Sequence, residues 1–79
     1  MIEPIQCRMA RAALGWSAAE LASRAGIGAA TVNRFEAGQA KPIGVTLSAM
    51  QRALEEGGVL FLAAGEIAEG GPGVRLRSI

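Results

Sequence analysis

The chain has 79 residues, 51 % of them hydrophobic, with a net charge of +1, one cysteine and no histidine. A chain this short buries only ~60–65 % of its unfolded surface, which allows one compact core and no second domain. Cys7 alone builds neither an intrachain disulfide nor a cysteine zinc cluster, and without histidine the usual metal ligand and near-neutral acid/base group are missing, so no metal, no cofactor and no enzymatic activity are expected.

Pro4 suits the first turn of a helix, Glu3 lies near that helix's positive end, and IQCRMARAAL is rich in helix formers; together they predict a helix over 4–14 ending at Gly15. Ser17 and Glu20 have the S-x-x-E spacing of a capping box, in which each side chain satisfies a first-turn backbone N–H, so a second helix starts at Ala18. Its inward residues are Leu21, Ala22 and Ala25, and Gly26 is placed to stop it in a left-handed conformation. A third helix, over about 28–37, sets Thr31, Val32 and Phe35 on an apolar stripe against polar Asn33, Arg34 and Glu36, and Gly38 closes it. QAKP then reads as an exposed connection, because Pro42 breaks helical continuity. Thr46 is the expected cap of a fourth helix, LSAMQRALEE, whose Leu47, Met50 and Leu54 recur at spacings of three and four before two glycines end it.

After those glycines the pattern changes. VLFLAA (59–64) is β-branched and aromatic, GEIAEGGPG (65–73) is turn chemistry, and VRLRSI (74–79) alternates apolar and basic residues. This predicts a β-hairpin with Val74 and Leu76 on one face and Arg75 and Arg77 on the other. A lone two-stranded hairpin is marginal in water, so it either packs on its own helices or pairs with a second copy. The expected fold is therefore mainly α, with four helices over 1–57 and a C-terminal β-hairpin over 58–79 in one compact unit.

Charge is distributed unevenly. Arg8, Arg11, Arg24, Arg34 and Lys41 face Glu3, Glu20 and Glu36 in residues 1–42, five against three, while three arginines face four glutamates in 43–79. The basic half is mild, so a nucleic-acid binder built this way is weak as a monomer. No run approaches the ~20 apolar residues that cross a bilayer, and the first residues lack the pattern of a signal peptide. No membrane partner and a cytoplasmic location are expected.

The stretch WSAAELASRAGIGAATVNRFEAGQAKPIGVTLSAMQRAL (16–54) resembles the helix-turn-helix domain of the phage repressor and Cro family, often called the xenobiotic-response-element family of bacterial regulators. Several features carry the resemblance together: S-x-x-E-L-A opening the second helix, a Gly-Ile turn, T-V-x-R-F-E-x-G in the third, then a proline and T-L opening the fourth. With the first helix it covers residues ~5–56. The tight turn and the close approach of two helices fit Gly26, Gly28 and the alanines at 22, 25, 29 and 30. The resemblance implies a repressor-type domain that binds double-stranded DNA as a homodimer and regulates transcription, with its third helix in the major groove. It also implies that Arg11 and Glu36 form a structural ion pair, that Cys7 packs in the core beside Ala10 and Leu14, and that Trp16 packs where an aliphatic residue is usual.

By the same resemblance the base-facing positions are Gly28, Ala29, Ala30 and Asn33, with Arg34 beside them, and three of those first four lack a hydrogen-bonding side chain. Ala18 stands where the family often has glutamine. What remains is alanine methyls for thymine contact, Asn33 for adenine or phosphate, and Arg34 for guanine or the backbone. Gln6, Arg8, Ser17, Thr31, Gln39 and Lys41 are the candidate phosphate contacts. The N-terminal N–H groups of the second and third helices add further anion sites. Thin readout and mild charge favour dimerisation, for which Val59, Phe61, Leu62, Val74 and Leu76 of the hairpin are the candidates. Two other readings stay open: an antitoxin-like module whose C-terminal segment holds a protein partner, and a DNA binder of weak specificity.

Overall fold

The computed structural model describes residues 2–62 and 72–76. Four helices come first: α1 (Pro4–Leu14), α2 (Ala18–Ala25), α3 (Ala29–Glu36) and α4 (Gly44–Glu56). The strands β1 (Val59–Leu62) and β2 (Gly73–Leu76) follow as an antiparallel pair in the register Val59↔Leu76 to Leu62↔Gly73. Of the expected hairpin, residues 63 and 64 of the first strand, 65–71 of the turn and 77–79 of the second strand, Arg77 among them, lie outside the described residues.

Helix ends decide the layout. At the end of α2 the chain must reverse within three residues, and Gly26 does this at φ 73°, where a Cβ would be strained. Its N–H donates to the Ser23 carbonyl (3.3 Å), and that of Ile27 reaches back to the Ala22 carbonyl (2.9 Å). That pair of bonds satisfies carbonyls the helix would otherwise leave open, and it turns α3 across α2.

Two expected caps differ from those observed. Ser17 Oγ does accept the Glu20 N–H at 3.0 Å. The Glu20 carboxylate, however, turns outward to Arg24 Nε at 2.6 Å, so the second half of the box is replaced by an i,i+4 ion pair. The fourth helix begins at Gly44 with Ile43 as its cap, not at Thr46. The Leu47 N–H already bonds the Ile43 carbonyl at 3.0 Å, which places Thr46 inside the first turn.

One core joins all the elements. Leu21, Val32, Met50, Leu54, Cys7 and Val59 are completely enclosed, with Ala10, Ala22 and Phe35 among them, so α1, α2, α3, α4 and β1 each contribute at least one side chain. The hairpin packs against α1 and, through β1, against α4. Val59, Phe61 and Val74 face the core, while Leu60 is exposed on the opposite side. Within the chain the hairpin packs on its own helices. The expectation that Val59 serves a dimer face is corrected accordingly, because its side chain is already spent inside the fold.

Candidate nucleic-acid interface

Helix α3 is fixed from within by Val32 and Phe35, both buried. That anchoring leaves Ala30, Asn33 and Arg34 exposed, at the i, i+3, i+4 spacing that puts three side chains on one helical face. Ala29 is half-buried against the core and Thr31 is half-buried as well, so the open edge of α3 runs through 30, 33 and 34. Gly28 caps α3 without any side-chain hydrogen bond. The blunt N-terminal end can therefore approach a partner closely, with its first-turn N–H groups uncovered by a side chain.

The other end of α3 is held electrostatically. Glu36 accepts from Arg11 Nη2 at 2.6 Å and from Arg11 Nε at 2.7 Å, a bidentate arrangement, and Cys7 Sγ donates to the same carboxylate at 3.0 Å. Arg11 Nη1 also donates to the Trp16 carbonyl at 2.9 Å, so one guanidinium ties α1 to both α3 and the entry of α2. Burial alone would raise the Glu36 pKa. Hydrogen bonds from Arg11 and Cys7, with the charges of Arg11 and Arg8, more than offset it and hold the carboxyl below its ordinary range. Cys7 is pushed the other way, first by burial and then by the adjacent carboxylate, so it remains a neutral thiol at physiological pH. Its role is wider than packing: it is a donor to the anchor of α3, which the spacing of residues in sequence does not reveal.

Trp16 is half-buried. The Arg24 guanidinium lies over its face, 4.3 Å from the ring centroid, and the ring's far edge lies so close to Gly57 that a Cβ there would come within 2.8 Å of the indole. The ring thus seals the joint between the start of α2 and the end of α4.

The phosphate candidates divide. Arg8, Ser17, Gln39 and Lys41 are exposed, Ser17 at the start of α2 and Gln39 and Lys41 in the connection after α3. Gln6 is a correction. It is buried, and its side-chain amide donates to the carbonyls of Leu62 (2.9 Å) and Gly73 (3.0 Å), while its Oε1 accepts the Glu3 N–H at 2.9 Å. Every polar atom it carries is engaged inside the fold, so none is left for a phosphate. Among the hairpin candidates, Phe61 and Val74 are partly buried against the core and Leu62 is half-buried. The Leu76 backbone pairs with Val59, and its side chain lies outside what is described. Among the described residues of the hairpin Leu60, not among those expected, is the exposed large apolar side chain. Strict alternation from Val59 would have placed it outward.

Among the described residues no helix is long and apolar enough to cross a membrane. No curated protein matches the chain. Residues 8–57 match the sequence profile of the family described as Helix-turn-helix, which spans α1 from Arg8, the α2–turn–α3 unit and all of α4. With that match over more than half of its length and the α2–Gly26–α3 geometry in place, the chain belongs to the Cro/C1-type helix-turn-helix family of DNA-binding regulators.

Proposed function

We propose that the protein is a sequence-specific transcriptional repressor that docks α3 in the DNA major groove and acts as a homodimer. The observation that carries this reading is the outward edge of α3, where Ala30, Asn33 and Arg34 share one face of a helix anchored by Val32, Phe35 and Glu36. Ala30 brings a methyl to the base edges, suited to the thymine C5-methyl, and lets the backbone come close. Asn33 has the donor and acceptor pair that matches adenine, and Arg34 matches guanine or the adjoining phosphate. Arg8, Ser17, Thr31, Gln39 and Lys41 supply the backbone contacts in this pose, and Ala29 lines its inner margin.

Asn33 separates base reading from backbone contact. Asn33→Ala is expected to weaken the best duplex by roughly 1–3 kcal/mol and to flatten the preference at particular base pairs. Selection of bound sequences from random duplexes, with wild type beside the variant, measures both. An equal loss on every sequence would make Asn33 a phosphate contact and remove this account of specificity.

For the dimer, the support is chemical economy and one surface. Two copies double the phosphate contacts of a mildly basic domain, and half-sites ~34 Å apart add specificity that one alanine, one asparagine and one arginine do not supply. The outer face of the hairpin offers exposed Leu60 beside half-buried Leu62 and exposed Arg75 for a two-fold contact. Leu60→Glu, a surface change that spares the core, is expected to shift sedimentation from dimer to monomer. Dimer mass retained by the variant would move the interface elsewhere. Retention of an unrelated protein through purification, lost in the same variant, would favour the antitoxin-like reading instead.

A further inference from the structure

We propose that Gln6 is a positioning residue through which α1 couples the seating of the hairpin to the seating of the recognition helix. The juxtaposition is specific. Gln6 holds both strands at once, through the carbonyls of Leu62 and Gly73, which face each other as the last described pair of the ladder. The next residue, Cys7, donates to Glu36, and Arg11, one turn further along α1, grips the same carboxylate twice. These two anchors span very different chain distances: 56 and 67 residues to the strands, 29 and 25 to α3. Both are satisfied from the same two turns of a single helix.

A helical turn does not deform residue by residue, so a change at one anchor alters the position from which the other is made. The hairpin is the weaker partner, since two strands alone are marginal and depend on this contact and on Val59, Phe61 and Val74 for their place. When the Gln6 amide is engaged, the N-terminal half of α1 is fixed from both sides. When it is released, the first turns of α1 loosen, and with them the donors that hold Glu36. Anything that seats on the hairpin thereby stiffens the reading helix, without contact between the two.

Hydrogen exchange of the full chain, without DNA, provides the test, and its outcome is independent of how α3 meets a duplex. In Gln6→Leu, which keeps the side-chain bulk but loses all three hydrogen bonds, exchange at β1 is expected to rise about tenfold, and exchange at the C-terminal half of α3 is expected to rise with it. Helix α2, which packs on α3 and α4, serves as the internal reference. A rise confined to β1 would reduce Gln6 to a local latch, and an equal rise in α2 and α3 would mean only uniform loss of stability; either overturns the coupling. Should Gln6→Leu fail to fold, the reciprocal measurement stands in its place. Coupling is symmetric in free energy, so Glu36→Gln must accelerate exchange at β1 more than at α2, and an unchanged β1 rejects the proposal.

Discussion

Glu36→Ala is expected to abolish DNA binding by unfolding the domain rather than by removing a contact. The carboxylate accepts three donors, and its loss leaves the guanidinium of Arg11 with only the Trp16 carbonyl and the thiol of Cys7 with none of its present partners. Breaking a largely buried pair by deleting one member costs about 3–5 kcal/mol, against total stabilities of about 5–15 kcal/mol for small domains. In a chain of this size the loss corresponds to a fall of roughly 15–30 °C in Tm, which circular dichroism reads directly. A melt unchanged from wild type would sink the structural role of the pair.

The pH dependence follows from the same carboxylate. Its pKa is depressed in the folded state, so its contribution to stability is complete above the ordinary carboxylate value near ~4.3 and disappears as pH falls through the lower folded value. Denaturant midpoints of wild type and Glu36→Gln should therefore converge below that range and stay apart at neutral pH.

The second large effect concerns the hairpin. A chain ending at residue 57 is expected not to fold cooperatively, although every residue matched to the helix-turn-helix profile is retained. The truncation removes Val59, completely enclosed in the core, together with the partly buried Phe61 and Val74, and it strips Gln6 of two of its three bonds. Burying one such side chain stabilises by about 1.5–3 kcal/mol, and a buried polar group left unpaired costs about 1–3 kcal/mol. Their sum is comparable with the whole stability of a small domain. A sigmoidal melt within a few degrees of the full chain would show that the four helices suffice. The same reasoning makes truncation unsuitable as a test of dimerisation, since loss of mass and loss of fold would coincide; a surface change at Leu60 avoids this.

Helices and their order were legible because their signals are local. Pro4, Ser17, Gly15, Gly26 and the glycines after Glu56 mark starts and stops that need no tertiary information, and the observed bounds of α1 and α2 coincide with those expected. Thr46 misled because a capping residue is recognised by type, whereas the cap actually used, Ile43, satisfies the helix with its backbone carbonyl alone. Gln6 misled for a related reason. A polar residue near the start of a basic amphipathic helix reads as surface, and only the return of the chain 56 residues later supplies the carbonyls that draw it inside. Hairpin residues were the converse case: their apolar character was plain, but which face met the helices depended on register and packing. The bond from Cys7 to Glu36 likewise joins two residues that no local pattern pairs.

The exposed alanine near the start of α3 has a consequence, under the proposed docking, for how such a protein diversifies. Ala30 is exposed, and the packing of α3 rests on Val32, Phe35 and Glu36, so the proposed reading positions and the packing positions are different members of the same eight residues. Duplicated copies could acquire new target sequences by changing 30, 33 and 34 without solving the packing problem again. For the same reason a library randomised at position 30 starts from a bare methyl, where an added side chain brings a new preference before those of Asn33 and Arg34 have to be erased.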